Sequence, residues 1–389
     1  MKKIDLDKEV DRTGSHSLKW EFMKKISPHV NEDTLPLWVA DMDFPCAPEI
    51  IDAMRVRVNQ QIFGYSMADQ GYYQSVQSWF QSRFNWSVDT DDIVTTSGVI
   101  PALEGLISIF SQPNEGVIIQ PPVYHMFATV INRTGRVVVD NPLINKQGVY
   151  SIDFDNLEKK AKVASNKVML FCSPHNPTGT VWSAEDLIKV ANICLENDVL
   201  LVSDEIHFDL VRKGVTHYPL ASLLPNEDKI ITCTAPSKTF NLAGLHISNI
   251  VIQNQHFKQK WNEKLGLSLP SPIAISAVKA AYTYGEPWLE QVIDYIDSNF
   301  DFAKSYLEKN LPKAQFIVPE GTYFIWLDLT AYGLTPAKID DLMVKKANVL
   351  LEGGTMFGKE GKGYQRINIA CRRAILSQAL DRICSAFSE

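Results

Sequence analysis

Lys238, Asp204 and Asn176 are the side chains whose types and positions first suggest chemistry. Each lies at or just beyond the end of an apolar run that is typical of a buried strand. Open α/β sheets place their ligands at the carboxyl ends of their strands, so we expect the three side chains at one edge. A lysine there can form a Schiff base with a bound carbonyl compound, and an aspartate can pair with a protonated ring nitrogen. The three runs are residues 229–234, 199–203 and 168–173.

A glycine turn at Gly98 adds a fourth feature. It follows the strand-like run 93–97 and precedes a helical pattern, whose free N–H groups favour an anion such as phosphate. Taken singly, each residue has a plainer explanation: Lys238 as a surface lysine, Asp204 as a helix N-cap, and Asn176 as a turn residue. Together they meet the needs of pyridoxal 5′-phosphate (PLP), which requires a Schiff-base lysine, an acid for the pyridine nitrogen and donors for the phosphate.

The elements that must position these residues alternate along the chain between strand and helix. This alternation predicts an α/β fold with a mostly parallel central sheet and helices on both faces. Helical patterns fall between the strands, as at residues 101–111 and 184–197. The strand-like runs are residues 93–97, 116–120, 136–139, 168–173, 199–203, 229–234 and 248–253.

The flanking segments predict a second, smaller α/β unit. Residues 1–46 are expected to form an irregular arm that joins this unit, residues 47–280 a large domain and residues 281–389 a small C-terminal domain. Helical patterns are seen at residues 48–60, 70–84, 271–310, 336–347 and 373–387. Strands are predicted at residues 315–318, 323–329 and 365–369.

Composition narrows the class of protein. The net charge of −7 argues against a nucleic-acid-binding surface. No apolar run approaches the ~20 residues of a membrane span, and the first residues lack the apolar stretch of a secretory signal. The six scattered cysteines are expected to be free thiols in a reducing compartment, and the histidines show no metal-binding spacing. We therefore predict a cytoplasmic protein with no metal site and no nucleic-acid or membrane partner.

Nine segments, in order along nearly the whole chain, resemble the fold-type-I PLP-dependent enzymes. Three of them, SPHNPTG, SDEIH and SKTFN, mark that superfamily, while WVADMDFP and NIAC resemble the MalY/PatB-type cystathionine β-lyases, also called C–S lyases. The resemblance implies PLP as cofactor and an amino acid as substrate. The nine segments are LPLWVADMDFP, FGYSMADQGYY, TTSGVIPAL, PPVYHMF, SPHNPTGTVW, VSDEIHFDL, APSKTFNLAGL, GTYFIWLDL and RINIAC.

The resemblance assigns roles around the cofactor ring. Lys238 is expected to hold PLP and then to act as the base for the substrate Cα proton. Asp204 is expected to pair with the pyridine nitrogen, and Asn176 to donate to the 3-hydroxyl oxygen. His207 occupies the place where relatives carry a tyrosine that bonds this hydroxyl. Tyr124 is expected to stack on the ring, although it could be an ordinary packing aromatic.

The resemblance also implies a phosphate site that two subunits share. Its donors would be the backbone N–H groups of Val99 and Ile100, the Ser237 side chain and the Tyr65 hydroxyl of the neighbouring subunit. A tyrosine delivered from the neighbour implies a homodimer. The site departs from the wider superfamily in two positions, since Ala235 replaces a serine and His246 replaces a phosphate-binding arginine.

Arg366 matches the superfamily arginine that binds the substrate α-carboxylate. Arginine suits this role because its planar fork donates two parallel hydrogen bonds. A strand-edge surface arginine is the alternative. Relatives carry a proline where this chain has Arg372, so a second arginine is available near the same loop.

The function implied by the resemblance is β-elimination from L-cystathionine or related cysteine S-conjugates, which releases a thiol, pyruvate and ammonia. Two alternatives stay open from the sequence. One is an aminotransferase that uses the same lysine to reprotonate the cofactor. The other is a regulatory protein with structural PLP that binds a transcription factor, for which no basic or amphipathic stretch gives support.

Overall fold

The computed structural model describes residues 4–388, and a seven-stranded sheet forms its centre. All seven strands predicted between residues 93 and 253 are confirmed, with boundaries that differ by one or two residues. In spatial order the strands are Ile93–Thr96, Ser248–Ile252, Ile230–Thr234, Leu200–Asp204, Asn166–Cys172, Gly116–Ile119 and Val137–Asp140.

The sheet is mostly parallel, as predicted. The strand Ser248–Ile252 is antiparallel to both of its neighbours, and the remaining neighbour pairs are parallel. Successive side chains of the inner strands enter two different apolar clusters, with Met169 and Phe171 in one and Leu170 in the other. The sheet is therefore buried on both faces, which explains why its strands are continuous apolar runs rather than alternating ones.

Helices cover both faces of this sheet. Several begin at side chains that accept a hydrogen bond from the first turn, as Asp69, Asp153, Ser183 and Asn254 do. A small hairpin, Ile144–Lys146 with Val149–Ser151, lies beside them. The helices in this part of the chain are Pro48–Val58, Gln70–Phe84, Val99–Phe110, Met126–Arg133, Phe154–Ala161, Ala184–Glu196, Pro236–Thr239, Gln255–Leu265, Pro272–Tyr284 and Glu286–Asn310.

A second sheet is built from the C-terminal part of the chain. Its three strands are antiparallel, in the order Phe324–Asp328, Tyr364–Asn368 and Glu352–Gly353. The helix Pro336–Asp341 continues into a π-helical turn, Leu342–Lys346, and the helix Arg373–Ser388 closes the chain. Short 3₁₀ turns occur at Met23–Lys25, Thr90–Asp92, Leu220–Leu223, Ala243–Leu245, Thr330–Tyr332, Gly354–Phe357 and Lys359–Gly361.

The strand predicted at residues 315–318 is wrong. Only Gln315 pairs, through an isolated bridge to Asp328. The carbonyl of Phe316 instead accepts a hydrogen bond from Lys304 Nζ at 2.9 Å, and Pro319 has no N–H to offer a ladder. The apolar run therefore packs without extending the sheet.

The N-terminal arm is more regular than predicted. It contains the helix Leu18–Glu21 and a short strand, Leu35–Pro36, which pairs in parallel with Val349–Leu350. The chain then crosses to the large sheet, where Asn241 Nδ2 donates to the Met42 carbonyl at 3.0 Å. The domain boundaries at residues 46 and 280 stay predictions. Within residues 4–388, no helix has the length and apolar character needed to cross a membrane.

Candidate active site

Asp204 ends a central strand, and the register places it between two neighbours at the same level, Cys172 and Cys233. Its side chain is buried, and Oδ1 accepts a hydrogen bond from the Ile206 N–H at 3.1 Å. A turn rather than a helix follows, so the alternative of a helix N-cap is wrong. Burial raises the pKa of Asp204 to about 7. Among residues 4–388 no side chain donates a hydrogen bond to this carboxylate, which leaves it suited to a protonated ring nitrogen.

Lys238 lies in the first turn after the adjacent strand, in the short helix Pro236–Thr239. Pro236 occupies the first helical position, where a missing N–H costs nothing. Nζ donates to the carbonyl of Ala40 at 2.7 Å, so the side chain points inward and is not that of a surface loop lysine. Burial lowers the pKa of Lys238 to about 8, although Asp41 partly opposes the shift and Arg366 adds to it. A much larger fraction of the amine is therefore neutral at physiological pH than in an ordinary lysine.

Asn176 and Arg366 are joined by a hydrogen bond. Asn176 follows the strand Asn166–Cys172, is buried, and accepts from Arg366 Nη1 through Oδ1 at 2.9 Å. Because a guanidinium can only donate, this bond fixes the orientation of the asparagine amide. The Nδ2 group of Asn176 is then the one available to donate to a ligand.

Arg366 is held from several sides in the middle strand of the small sheet. Its side chain is buried, which excludes the alternative of a strand-edge surface arginine. Nη2 donates to the Trp38 carbonyl at 3.2 Å. The guanidinium carbon lies 4.1 Å from the ring centre of Phe324 and 5.0 Å from that of Phe357, and Nη2 also forms an ion pair with Glu352. In the described chain, Nε is buried without a hydrogen-bond partner.

His207 lies in the turn that follows Asp204. Its ring is buried, and Nδ1 has no hydrogen-bond partner among the described residues. The ring centre lies 6.0 Å from that of Tyr323 and 5.7 Å from that of Phe324. Burial lowers the pKa of His207 well below its ordinary value, and the nearby cations Lys238 and Arg366 lower it further. The imidazole is therefore neutral and has one ring nitrogen free for a ligand hydroxyl.

Tyr124 lies close enough to Arg366, Glu352 and Asp204 for their charges to affect the pKa of its phenol. Its side chain is half-buried, and its ring centre lies 4.9 Å from that of His125. Burial raises the pKa of Tyr124 to about 12, with Arg366 lowering it and Glu352 and Asp204 raising it. The phenol therefore stays neutral and can pack against a bound ring.

The expected phosphate donors lie at two strand ends of the same sheet edge. Val99 and Ile100 open the helix Val99–Phe110, where the first N–H groups have no partner within the helix. Gly98 precedes them with φ +147°, a backbone conformation that other residues rarely adopt. Ser237 follows the strand Ile230–Thr234, which is two strands away, or about 10 Å. Both ends lie at the edge of the sheet that also carries Asp204 and Lys238.

Tyr65 is not brought to this cluster within one chain. Its side chain is 97% exposed. It belongs to a stretch of exposed apolar residues that also includes Ile62, Phe63 and Met67. Its expected contact requires a second subunit.

Two of the residues that depart from the superfamily pattern, Arg372 and His246, do not join the cluster either. Arg372 turns toward the N-terminal arm, where Nη2 lies 3.3 Å from Glu9 Oε2. His246 is exposed and adopts a left-handed backbone conformation with φ +50°. Arg366 is therefore the arginine that faces Asn176 and Lys238.

The resemblance implies that the backbone of residues 37–44 lies over the active site, and the N-terminal arm supplies the following backbone contacts there. The Ala40 carbonyl accepts from Lys238 Nζ and, at 3.0 Å, from the Tyr323 hydroxyl. Asn368 Nδ2 donates to the carbonyls of Val39 and Asp41 at 2.6 and 2.7 Å. The motif WVADMDFP, already noticed as a family marker, was the available signal for these backbone contacts.

Glu352 is a residue that the sequence analysis missed. It lies opposite Arg366 in the small sheet, and its side chain is buried. Burial raises the pKa of Glu352, while Arg366 and Lys238 lower it. The sequence carried no signal for it, because LEGG shows neither a family motif nor a spacing that indicates its partner.

A cavity of about 860 Å³ lies apart from this cluster, beside Tyr150, Trp326 and Tyr364. None of Lys238, Asp204 and Arg366 lines it. The convergence of charged and hydrogen-bonding groups, not the volume of this cavity, therefore identifies the candidate site.

Comparisons with known proteins agree with this geometry. Residues 32–383 match the family described as aminotransferase class I and II, and the chain belongs to that family. Within it, the chain groups with the cystathionine β-lyases of the PatB and MalY type. It is 41% identical to cystathionine β-lyase PatB of Bacillus subtilis, covering 99% of this chain and 100% of that protein. It is 30% identical to protein MalY of Escherichia coli, covering 98% of each.

Solved structures lead to the same group. The PLP-bound C–S lyase from Staphylococcus hominis, in complex with the inhibitor L-cycloserine, is 36% identical and superposes with a TM-score of 0.95. The match covers 99% of this chain and 98% of that one. The fold expected from the resemblance is thereby confirmed, and PLP is the cofactor of this family.

Proposed function

We propose that this protein is a PLP-dependent carbon–sulfur β-lyase. It cleaves L-cystathionine or related cysteine S-conjugates to a thiol, pyruvate and ammonia. The observation that carries the proposal is the similarity, over essentially the full length of both chains, to a protein named cystathionine β-lyase. The groups that such a reaction needs are Lys238, Asp204 and Asn176 at one sheet edge. Arg366 reaches Asn176 from the small sheet.

The residues at this edge fit PLP. Asp204 is a buried carboxylate in need of a cation, and the neutral His207 has a free Nδ1. Asn176 Nδ2 is oriented for the 3-hydroxyl oxygen, and Tyr124 for the ring face. PLP, when bound, supplies an electron-withdrawing ring that stabilises negative charge at the substrate Cα. Asp204 supports this property because a carboxylate keeps the ring nitrogen protonated.

Arg366 binds and orients the substrate through its α-carboxylate. Its guanidinium is fixed by Asn176 Oδ1 and by the Trp38 carbonyl. A carboxylate held there lies near Lys238, because Arg366 is close enough for its charge to lower the pKa of Lys238. The arm segment lies against this region, since the carbonyls of Trp38 and Ala40 accept hydrogen bonds from Arg366 and Lys238.

Lys238 removes the Cα proton. Its pKa of about 8 leaves a useful fraction of neutral amine at physiological pH, which a general base requires. The electron pair left at Cα then forms the double bond to Cβ, and the C–S bond breaks with its pair on sulfur. The thiolate leaves, and the remaining enamine hydrolyses to pyruvate and ammonia.

We further propose that the enzyme is a cytoplasmic homodimer. Between residues 56 and 67 the chain exposes several apolar side chains, namely Val56, Ile62, Phe63, Tyr65 and Met67. Contiguous apolar surface of this kind marks a protein interface. A second copy of the chain covering it would deliver the Tyr65 hydroxyl to the phosphate site of its neighbour. The six free cysteines, five of them buried, suit a reducing compartment.

A product assay tests the function. PLP-loaded protein is mixed with L-cystathionine without a keto acid, and pyruvate and free thiol are followed together. Equal, catalytic release of both, lost in Lys238→Ala, is the expected result. Amino transfer that requires a keto acid would instead make the protein an aminotransferase. An absorbing PLP–lysine complex without turnover in either format would favour the regulatory alternative.

A further inference from the structure

Glu352 and Arg366 form a cross-strand pair inside the small sheet. The antiparallel register sets them directly opposite each other, so both side chains project from the same face. Glu352 Oε2 contacts Arg366 Nη2, and the two residues are 8% and 1% exposed. The arginine that is proposed to bind the substrate carboxylate is therefore already paired with a carboxylate of the protein.

We propose that Glu352 is an internal competitor that occupies Arg366 until the α-carboxylate of the substrate displaces it. The inference rests on the proposed function, because it takes Arg366 as the substrate anchor. Glu352 and an α-amino acid present the same group, a planar carboxylate, to the same guanidinium. Both cannot use the Nη2 donor fully at once.

The remaining contacts of Arg366 do not depend on Glu352. Nη1 stays bonded to Asn176 and Nη2 to the Trp38 carbonyl, while Phe324 and Phe357 pack against the guanidinium. In the described chain, Nε has no hydrogen-bond partner. Displacement of Glu352 therefore exposes the Nε–Nη2 edge, which matches a carboxylate in two parallel hydrogen bonds. The arginine itself stays in place.

The Glu352–Arg366 pair stabilises the site when no substrate is bound. A buried guanidinium without a counter-ion is costly, and Glu352 offsets this cost when the site holds no substrate. The same pair weakens the binding of every carboxylate ligand, including a product carboxylate. Glu352 thereby favours release of product as well as stability of the resting site.

The test is a titration of PLP-loaded protein, followed through the absorbance of the bound cofactor. L-alanine, which has no leaving group at Cβ, is compared with ethylamine, which is the same amine without a carboxylate. Glu352→Gln keeps the shape of the side chain and removes its charge. The control is Glu158→Gln, which makes the same change in an exposed ion pair with Lys162.

We expect Glu352→Gln to lower the dissociation constant of L-alanine about tenfold, the size of one charged hydrogen bond. Ethylamine binding should not change, and Glu158→Gln should change neither ligand. Weaker binding of L-alanine, or an equal shift for ethylamine, would overturn the proposal. Should Glu352→Gln not retain PLP, Glu352→Asp keeps the charge at a shorter reach, and an unchanged L-alanine constant there would overturn it too. Loss of lyase function would show separately, since L-alanine binding needs no elimination.

Discussion

Replacement of Lys19 by methionine tests whether ion pairs in the N-terminal arm position the substrate site. The Lys19 side chain is 0% exposed, and its Nζ donates to Asp43 Oδ2 at 2.7 Å and to the Asp41 carbonyl at 3.2 Å. Burial by itself lowers the pKa of Lys19, but Asp43 and Asp41 outweigh it and hold the pKa above its ordinary value. Lys19 is therefore a buried, charged and paired lysine directly behind the segment that contacts Lys238.

The loss of stability expected for Lys19→Met depends on the partners that Asp43 keeps. Removing one member of a buried ion pair costs about 3–5 kcal/mol. Asp43 keeps hydrogen bonds from Arg12 Nη1 and Trp20 Nε1, both at 2.9 Å, so we expect the lower end, about 3 kcal/mol. At ~2.1 cal/mol/K per residue, a chain of 389 residues has an unfolding entropy of about 0.8 kcal/mol/K, and Tm should fall by about 4 °C.

Thermal unfolding of the PLP-loaded variant measures this fall, and steady-state kinetics measure its functional effect. KM for the sulfur substrate should rise, because two carbonyl groups of the N-terminal arm lose their support. They are those of Trp38, which accepts from Arg366, and Ala40, which accepts from Lys238.

The matched control is Lys213→Met, which removes an exposed lysine that pairs with Asp294 on the surface. Such exposed pairs contribute about 0–1 kcal/mol, so Tm should change by roughly 1 °C or less and KM should not change. Equal Tm values for the two variants, or an unchanged KM in Lys19→Met, would refute the positioning role of the arm.

Two further predictions concern the cofactor site. The rate at which PLP binds to the apoenzyme should rise with pH through about 8, because only the neutral amine of Lys238 attacks an aldehyde. Stopped-flow absorbance measures this rate. A rate that does not change between pH 6.5 and 9 would contradict the pKa assigned to Lys238. If Tyr65 serves the neighbouring subunit, co-expressed Tyr65→Ala and Lys238→Ala chains should form mixed dimers with one intact site and recover about a quarter of wild-type activity. No recovery above the Tyr65→Ala homodimer would place Tyr65 outside a shared site.

The central sheet was predictable because its strands are buried on both faces and therefore appear as continuous apolar runs. The order of the strands was not, since periodicity along the chain carries no information on which strands are neighbours. The run at 315–318 shows the limit of the pattern. Its hydrophobicity is that of a strand, but a hydrogen bond from Lys304, twelve residues away along the chain, occupies the Phe316 carbonyl.

In the candidate site, too, some residues could be predicted from the sequence and others could not. Lys238, Asp204 and Asn176 could be predicted because each follows a strand that the apolar pattern identifies, and parallel strands bring their ends to one edge. Ala40 could not be assigned, because its contribution is a backbone carbonyl and every residue has one. Glu352 depends on the register of a two-residue strand against Tyr364–Asn368, which no local pattern specifies.

Arg366 shows why these long-range contacts matter for function. Its guanidinium is held by the large sheet through Asn176, by the N-terminal arm through Trp38 and by its own small sheet through Glu352. A substrate carboxylate that displaces Glu352 breaks a contact within the small sheet. The two contacts that join the small sheet to the rest of the molecule persist, so the site stays assembled while the substrate enters. The loss of Glu352 therefore leaves intact the hydrogen bonds through which Arg366 links the small sheet to the large sheet and to the N-terminal arm.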